Sequence, residues 1–164
     1  MKYLILIVFI LVFFGEVRGQ EWRLFNSPSN TYTIEFPSIP QNIQGTSIYV
    51  SKDVIGNLFA VQEFRPPEDI TKDQSSKEIL KTTIKALALK QNVFLSETIY
   101  SEYKNDWVAV DFTGKISANK ISAFKGKAIL EGEKIYYMYA VLSDDSTASL
   151  KNYSRFIHSF RIMR

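Results

Sequence analysis

The chain has no cysteine and one histidine, His158, among its 164 residues. Without thiols it has no disulfide framework and no thiolate nucleophile, and it cannot hold zinc through sulfur. A lone imidazole rules out a histidine pair on a metal, and a serine–histidine–acid triad would have to be built around His158 itself. No G-x-S-x-G elbow is there to present the serine. Glycine is also scarce, with seven residues. None of them falls into GxGxxG or GxxxxGK[ST], so no phosphate-cradling loop of either kind is written in the chain. HExxH and EF-hand patterns are missing as well. The residues therefore suggest no cofactor and no metal, and His158 reads as an exposed helix residue beside Lys151 and Arg155.

What is present is a globular composition: 46% hydrophobic and 14% aromatic residues, with 20 basic against 17 acidic side chains. That balance excludes a disordered tail and a collagen-like fibre. The start of the chain differs from the rest. Tyr3 to Phe14 is an unbroken apolar run behind Met1-Lys2, shorter than the roughly 20 residues needed to cross a bilayer and matching a signal-peptide core. Val17 and Gly19 sit where a signal peptidase accepts small residues. The expected organisation is residues 1–19 as signal peptide, with a retained anchor as the alternative, and residues 20–164 as one α+β domain. The expected location is exported, periplasmic or secreted, with no stable membrane span after cleavage. Asn152-Tyr153-Ser154 matches a glycosylation triplet inside an expected helix and reads as chance.

Charge points to no polyanionic partner. Lys115, Lys120, Lys125 and Lys127, with Lys151, Arg155, Arg161 and Arg164, read as dispersed solvent-facing groups, so no nucleic acid is expected. Asp144 and Asp145 precede an expected helix and suit its orphan N–H groups. Glu131 and Glu133 flank a hairpin glycine and read as a solvated turn, because a hard cation asks for more oxygens.

Periodicity supplies the elements. Tyr32, Ile34 and Phe36 alternate with Thr33 and Glu35, a half-buried strand ended by Pro37 and Pro40. Ser47–Lys52 and Asn57–Phe64 read as a hairpin turning at Asp53–Gly56. A helix is expected from about Ser75 to Gln91, with Leu80, Ile84, Leu87 and Gln91 on one stripe and Glu78 completing a capping arrangement. Strands follow over Phe94–Tyr103, Asp106–Gly114, Ile121–Leu130 and Lys134–Leu142. Trp107–Phe112 and Ile135–Leu142 are apolar on both alternating sets, which implies cover on both faces. A second helix opens after Asp144-Asp145-Ser146 and runs to about Ser159, with Leu150, Tyr153, Phe156, Ile157 and Phe160 buried. Arg161 to Arg164 can add a last short strand. The expected fold is α+β, an antiparallel sheet sandwiched by helices in an α/β/α arrangement. The runner-up is a curved sheet wrapped around one helix.

Two segments carry a resemblance. The early Trp22, with Tyr32-Thr33-Ile34-Glu35-Phe36-Pro37-Ser38-Ile39-Pro40, resembles the opening of exported bacterial proteins of the Mog1/PsbP-like superfamily. Tyr153-Ser154-Arg155-Phe156-Ile157-His158-Ser159-Phe160-Arg161-Ile162 is similar to their ending, behind the aromatic strand Ile135-Tyr136-Tyr137-Met138-Tyr139. The resemblance implies the fold and action by binding macromolecules, and it carries over no functional residue.

For this chain the expectation is an exported, non-catalytic accessory domain, a member of unassigned function that binds an unidentified protein of the bacterial envelope. A small apolar-ligand or lipid carrier is the alternative, and an enzyme is the third class. Tyr49, Tyr100, Tyr103, Trp107, Tyr136, Tyr137 and Tyr139 lie on expected strands, where aromatics fill a core or anchor a partner. The candidate contacts are Arg65, Asp69, Tyr103, Trp107 and Tyr137, on the sheet edge or on the rim from Arg65 to Asp73.

Overall fold

The computed structural model describes residues 21–71, 74–104, 107–116 and 123–163, with the backbone alone at residues 69 and 70. The expected signal segment, Gln20, Lys120, Arg164 and the side chain of Asp69 lie outside the described residues. The strands are β1 (Arg23–Asn26), β2 (Tyr32–Phe36), β3 (Gln41–Asn42), β4 (Ile48–Lys52), β5 (Leu58–Phe64), β6 (Val93–Tyr103), β7 (Trp107–Ile116), β8 (Ala123–Glu131), β9 (Lys134–Leu142) and β10 (Arg161–Ile162). The helices are α1 (Glu68–Thr71), α2 (Ser76–Lys90) and α3 (Thr147–Ser159).

Seven strands form one sheet in the order β3-β4-β5-β9-β8-β7-β6, and three form a second, β1-β2-β10. Every pairing is antiparallel. Alternation along β9 divides the core in two. Ile135 and Tyr137 point to the cluster holding Leu80, Ile84 and Ala88 of α2. Tyr136, Met138 and Ala140 point the other way, to Phe156 and Ile157 of α3 and to Tyr32, Ile34 and Phe36 of β2.

The α+β class and the antiparallel pairing agree with the sequence, but the second layer differs from the expected helical one. Opposite α2 the large sheet is faced by the three-stranded sheet together with α3. The cause lies in β2, whose partners Arg23–Asn26 and Arg161–Ile162 draw it into a small sheet of its own. Cover on both faces holds for the centre of β9. On β7 it holds only in part, because Asp111 is half-exposed and pairs with Lys127 at 3.1 Å. Edge strand β6 leaves Phe94 70% and Ile99 55% exposed.

Helix α2 begins where Ser75 accepts from the Glu78 N–H, as expected. Its buried stripe is Ile79, Leu80, Thr83, Ile84 and Ala88, whereas Leu87 and Gln91 are only half-buried. In α3 the cap is Ser146, which accepts from the Ser149 N–H. Asp144 backs it by accepting from the Ser146 N–H and the Ser149 hydroxyl. Leu150 is expected inside and is 40% exposed, because α3 turns its neighbour Ser149 inward along with the expected Phe156 and Ile157.

One polar knot ties three segments together. Asp53, Asn57 and Ser149 are all buried. Asp53 Oδ1 accepts from the N–H groups of Ile55, Gly56 and Asn57, and Oδ2 accepts from the side-chain amides of Asn57 and Asn152. Asn57 Oδ1 in turn accepts from the Ser143 N–H and from the Ser143 and Ser149 hydroxyls. The β4–β5 turn is thereby fastened to the start of α3. The same contacts occupy the side-chain amide of Asn152, the asparagine of the glycosylation-type triplet.

Candidate surface at one end of the sheet

The antiparallel registers bring distant residues into one transverse row. Lys134 pairs with Glu131 at the β8–β9 turn, and Tyr103 pairs with Trp107 at the β6–β7 turn. Val108 pairs with Leu130, so Trp107 and Glu131 are the next positions outward on neighbouring strands. On the other flank Phe64 pairs with Ile135, which sets Arg65 beside Lys134. The row Arg65, Lys134, Glu131, Trp107 and Tyr103 thus spans about 19 Å at ordinary strand spacing, with Arg65 one residue past the end of β5 and the other four on β9, β8, β7 and β6. By alternation those four share the face of Ala109, Ile129 and Tyr136, the one beneath the three-stranded sheet.

Trp107 and Tyr103 are half-buried and stack with ring centroids 6.3 Å apart and planes 14° from parallel. Burial raises the Tyr103 hydroxyl against the opposing charge of Arg161. Arg161 itself donates to the carbonyls of His158 and Phe160. Glu131 accepts from the Tyr136 hydroxyl at 3.0 Å, and burial followed by that acceptor pushes Tyr136 well above the ordinary tyrosine range.

At the Lys134 end the β1–β2 turn closes over the sheet. Ser29 and Thr31 both donate to Glu63 Oε2, and Lys134 Nζ meets Glu63 Oε1 at 2.9 Å. Burial alone would raise the Glu63 carboxyl. Donation from Thr31, Lys134 and Ser29, with the Lys134 charge, outweighs it and holds the group below its ordinary value. Beside this pair opens a groove of about 410 Å³ whose walls include Tyr49, Glu63, Phe64, Arg65 and Lys134.

Three of the five sequence candidates, Arg65, Tyr103 and Trp107, therefore stand on this row. Asp69 falls in α1, with its side chain outside the described residues. Tyr137 is corrected: it is 1% exposed on the opposite face, stacked 5.4 Å from Phe112 and donating to Gln91. Neighbouring residues in a strand face opposite ways, and Tyr137 takes the α2 side. Of the other residues weighed, His158 is exposed, with its Nδ1 bound to Ser154 of its own helix. Arg155 pairs with Glu35 at 2.7 Å and lies over the Trp22 ring. Glu63, Lys134 and Ser29 were not singled out by sequence, since their meeting depends on the pairing of β5 with β9. Among the described residues no group of three or more His, Asp and Glu side chains is placed to hold a metal ion, and no helix is long and apolar enough to cross a membrane.

No protein-family model matches the chain, and no curated protein does. Among solved structures it is similar to the cyanobacterial PsbP of Synechocystis, with a TM-score of 0.65 over 94% of this chain and 99% of that one, at 14% identity. The fold is PsbP-like. A protein of unknown function from Pseudomonas aeruginosa matches at a TM-score of 0.49 and 13% identity, over 82% of this chain and 89% of that one. At these identities the PsbP-like likeness concerns the fold, and the row of residues above comes from this chain alone.

Proposed function

We propose that the chain is an exported, non-catalytic accessory domain that binds a protein partner of the bacterial envelope through the row from Arg65 to Tyr103. The observation that carries this reading is the gathering of a tryptophan, a tyrosine and two arginines, Arg65 and Arg161, at one solvent-reached end of the sheet. Those residue types dominate the binding energy of protein interfaces. The PsbP-like fold supports it, since the resemblance implies action by binding rather than by chemistry. The carrier alternative would use the gap between sheet and α2, and Phe112, Phe124 and Tyr137 fill that gap with stacked rings.

The test is a cross-linking pull-down of the tagged mature chain from its native envelope fraction, run beside an Arg65→Glu/Tyr103→Ala variant shown to be folded. One recurrent, stoichiometric partner captured by the parent and lost in the variant supports the proposal. A partner retained by the variant moves the interface elsewhere, and no partner for a folded, exported bait sinks the reading.

A further inference from the structure

The exposed apolar side chains are not spread evenly over the domain. Seven large ones are exposed among the described residues. Of these, Ile39, Val54, Leu89, Phe94 and Leu150 stand at one end of the sheet, the end opposite the row from Arg65 to Tyr103. Hydrogen bonds draw three of them together. Ser38 meets the Ser51 hydroxyl at 2.7 Å and donates to the Lys52 carbonyl, which sets Ile39 beside the end of β4. Val54 lies in the β4–β5 turn, which Asp53 and Asn57 tie to Asn152 and Ser149, next to Leu150. Leu89 is in the last turn of α2, and Phe94 is one residue into β6, paired with Lys115. From β4 to β6 this end crosses six strands, about 24 Å.

The chain also enters the domain here. Arg23 pairs with Phe36 at the end of β2. The Trp22 ring packs edge-on against Phe59 at 5.9 Å, with the Arg155 guanidinium over it at 4.8 Å. Seven residues, Gly15 to Glu21, separate Trp22 from the apolar run Tyr3–Phe14, and seven residues span at most about 25 Å. While that run is in a bilayer, as expected during export, this end of the domain stays within that reach of the lipid.

Side-chain type separates the two ends. The row carries tryptophan, tyrosine and arginine, which dominate protein interfaces, whereas leucine and valine are under-represented among such anchors. Aliphatic side chains gain instead by entering the boundary between lipid headgroups and acyl chains. Charge is not what draws this end there, since Lys52, Lys90, Lys115 and Lys151 stand with Asp144 and Asp145.

We propose that this end docks on a lipid surface, with Ile39, Val54 and Leu150 entering the interface. The inference goes beyond the protein-partner reading, which uses the opposite end, and leaves that row open to solvent when the domain is docked.

The chain has no cysteine, so one introduced thiol carries a probe at a single place. The experiment uses the full mature chain with an environment-sensitive nitrobenzoxadiazole dye on Val54→Cys or, at the opposite end, on Glu133→Cys, each shown by circular dichroism to be folded. Vesicles of phosphatidylcholine alone should shift the Val54→Cys emission to the blue and leave that of Glu133→Cys unchanged. Adding Ile39→Asp/Leu150→Asp, both at exposed sites, should raise the lipid concentration at half the shift by at least about tenfold. No shift at Val54→Cys, an equal shift at both sites, a shift that needs phosphatidylglycerol and vanishes in salt, or one indifferent to Ile39→Asp/Leu150→Asp would overturn the proposal. Each of these outcomes leaves the capture of an envelope partner at the row untouched, so the two readings fail separately.

Discussion

Asp53→Ala should cost the domain much of its stability, although the residue touches no candidate contact. The carboxylate accepts five N–H donors, with distances of 2.8 to 2.9 Å. Two belong to Asn57, which is fully buried, so water cannot replace the acceptor; each stranded donor costs about 1–3 kcal/mol. The donors of Ile55, Gly56 and Asn152 are half-exposed and can be partly rehydrated. Allowing for the relief of no longer burying a carboxylate, the loss comes to about 3–5 kcal/mol, a large share of the roughly 5–15 kcal/mol usual for a domain. Asp53→Asn should fall between parent and alanine variant: its oxygen can still serve the turn, but its new amide faces the amides of Asn57 and Asn152, donor against donor. Urea unfolding followed by the fluorescence of Trp22 and Trp107 measures this, with an unchanged slope confirming that the same cooperative transition is compared. A loss below about 1 kcal/mol for Asp53→Ala would refute the claim that the knot is closed to water.

Other substitutions test the packing and the ion pair. A Cβ on Gly126 would sit 2.2 Å from Phe112 Cζ and 2.5 Å from the Met138 carbonyl oxygen, so Gly126→Ala should destabilise by about 3 kcal/mol, and an unchanged melting temperature in calorimetry would contradict it. Thr83 is buried in α2 with no hydrogen-bond partner for its hydroxyl among the described residues. Thr83→Val should therefore stabilise by about 1 kcal/mol, and a clear loss in urea unfolding would show that the hydroxyl is satisfied. Glu63 has a folded pKa below its ordinary 4.5, so its ionised form contributes stability that is present above that ordinary value and lost as pH falls through the folded one. The stability gap between parent and Glu63→Gln should shrink on acidification from about pH 6 to about pH 3, and a constant gap would refute the assignment.

The sequence was legible wherever one segment decides its own geometry. The β4–β5 hairpin, the Ser75 cap, the Gly132 turn with φ of 55° and the alternation of β2 all follow from neighbours within a few residues. Even the Tyr103–Trp107 stack is local, since a short hairpin sets the two rings opposite each other. Pairings between remote strands were closed to that reasoning. Nothing within Tyr32–Phe36 says that its partners are Arg23–Asn26 and Arg161–Ile162 rather than the main sheet, so the second layer was expected to be helical. The same blindness hid the groove: Glu63 and Lys134 are half-exposed charges in their own strands, and they become a pair only because β5 lies against β9. Tyr136 and Tyr137 show the limit at its finest. Both belong to one aromatic run and both are buried, yet Tyr136 reaches Glu131 on the candidate row while Tyr137 serves α2. Alternation says that they face apart; deciding which of them meets the row needs the identity of the layer on each side, and that is a property of the assembled chain.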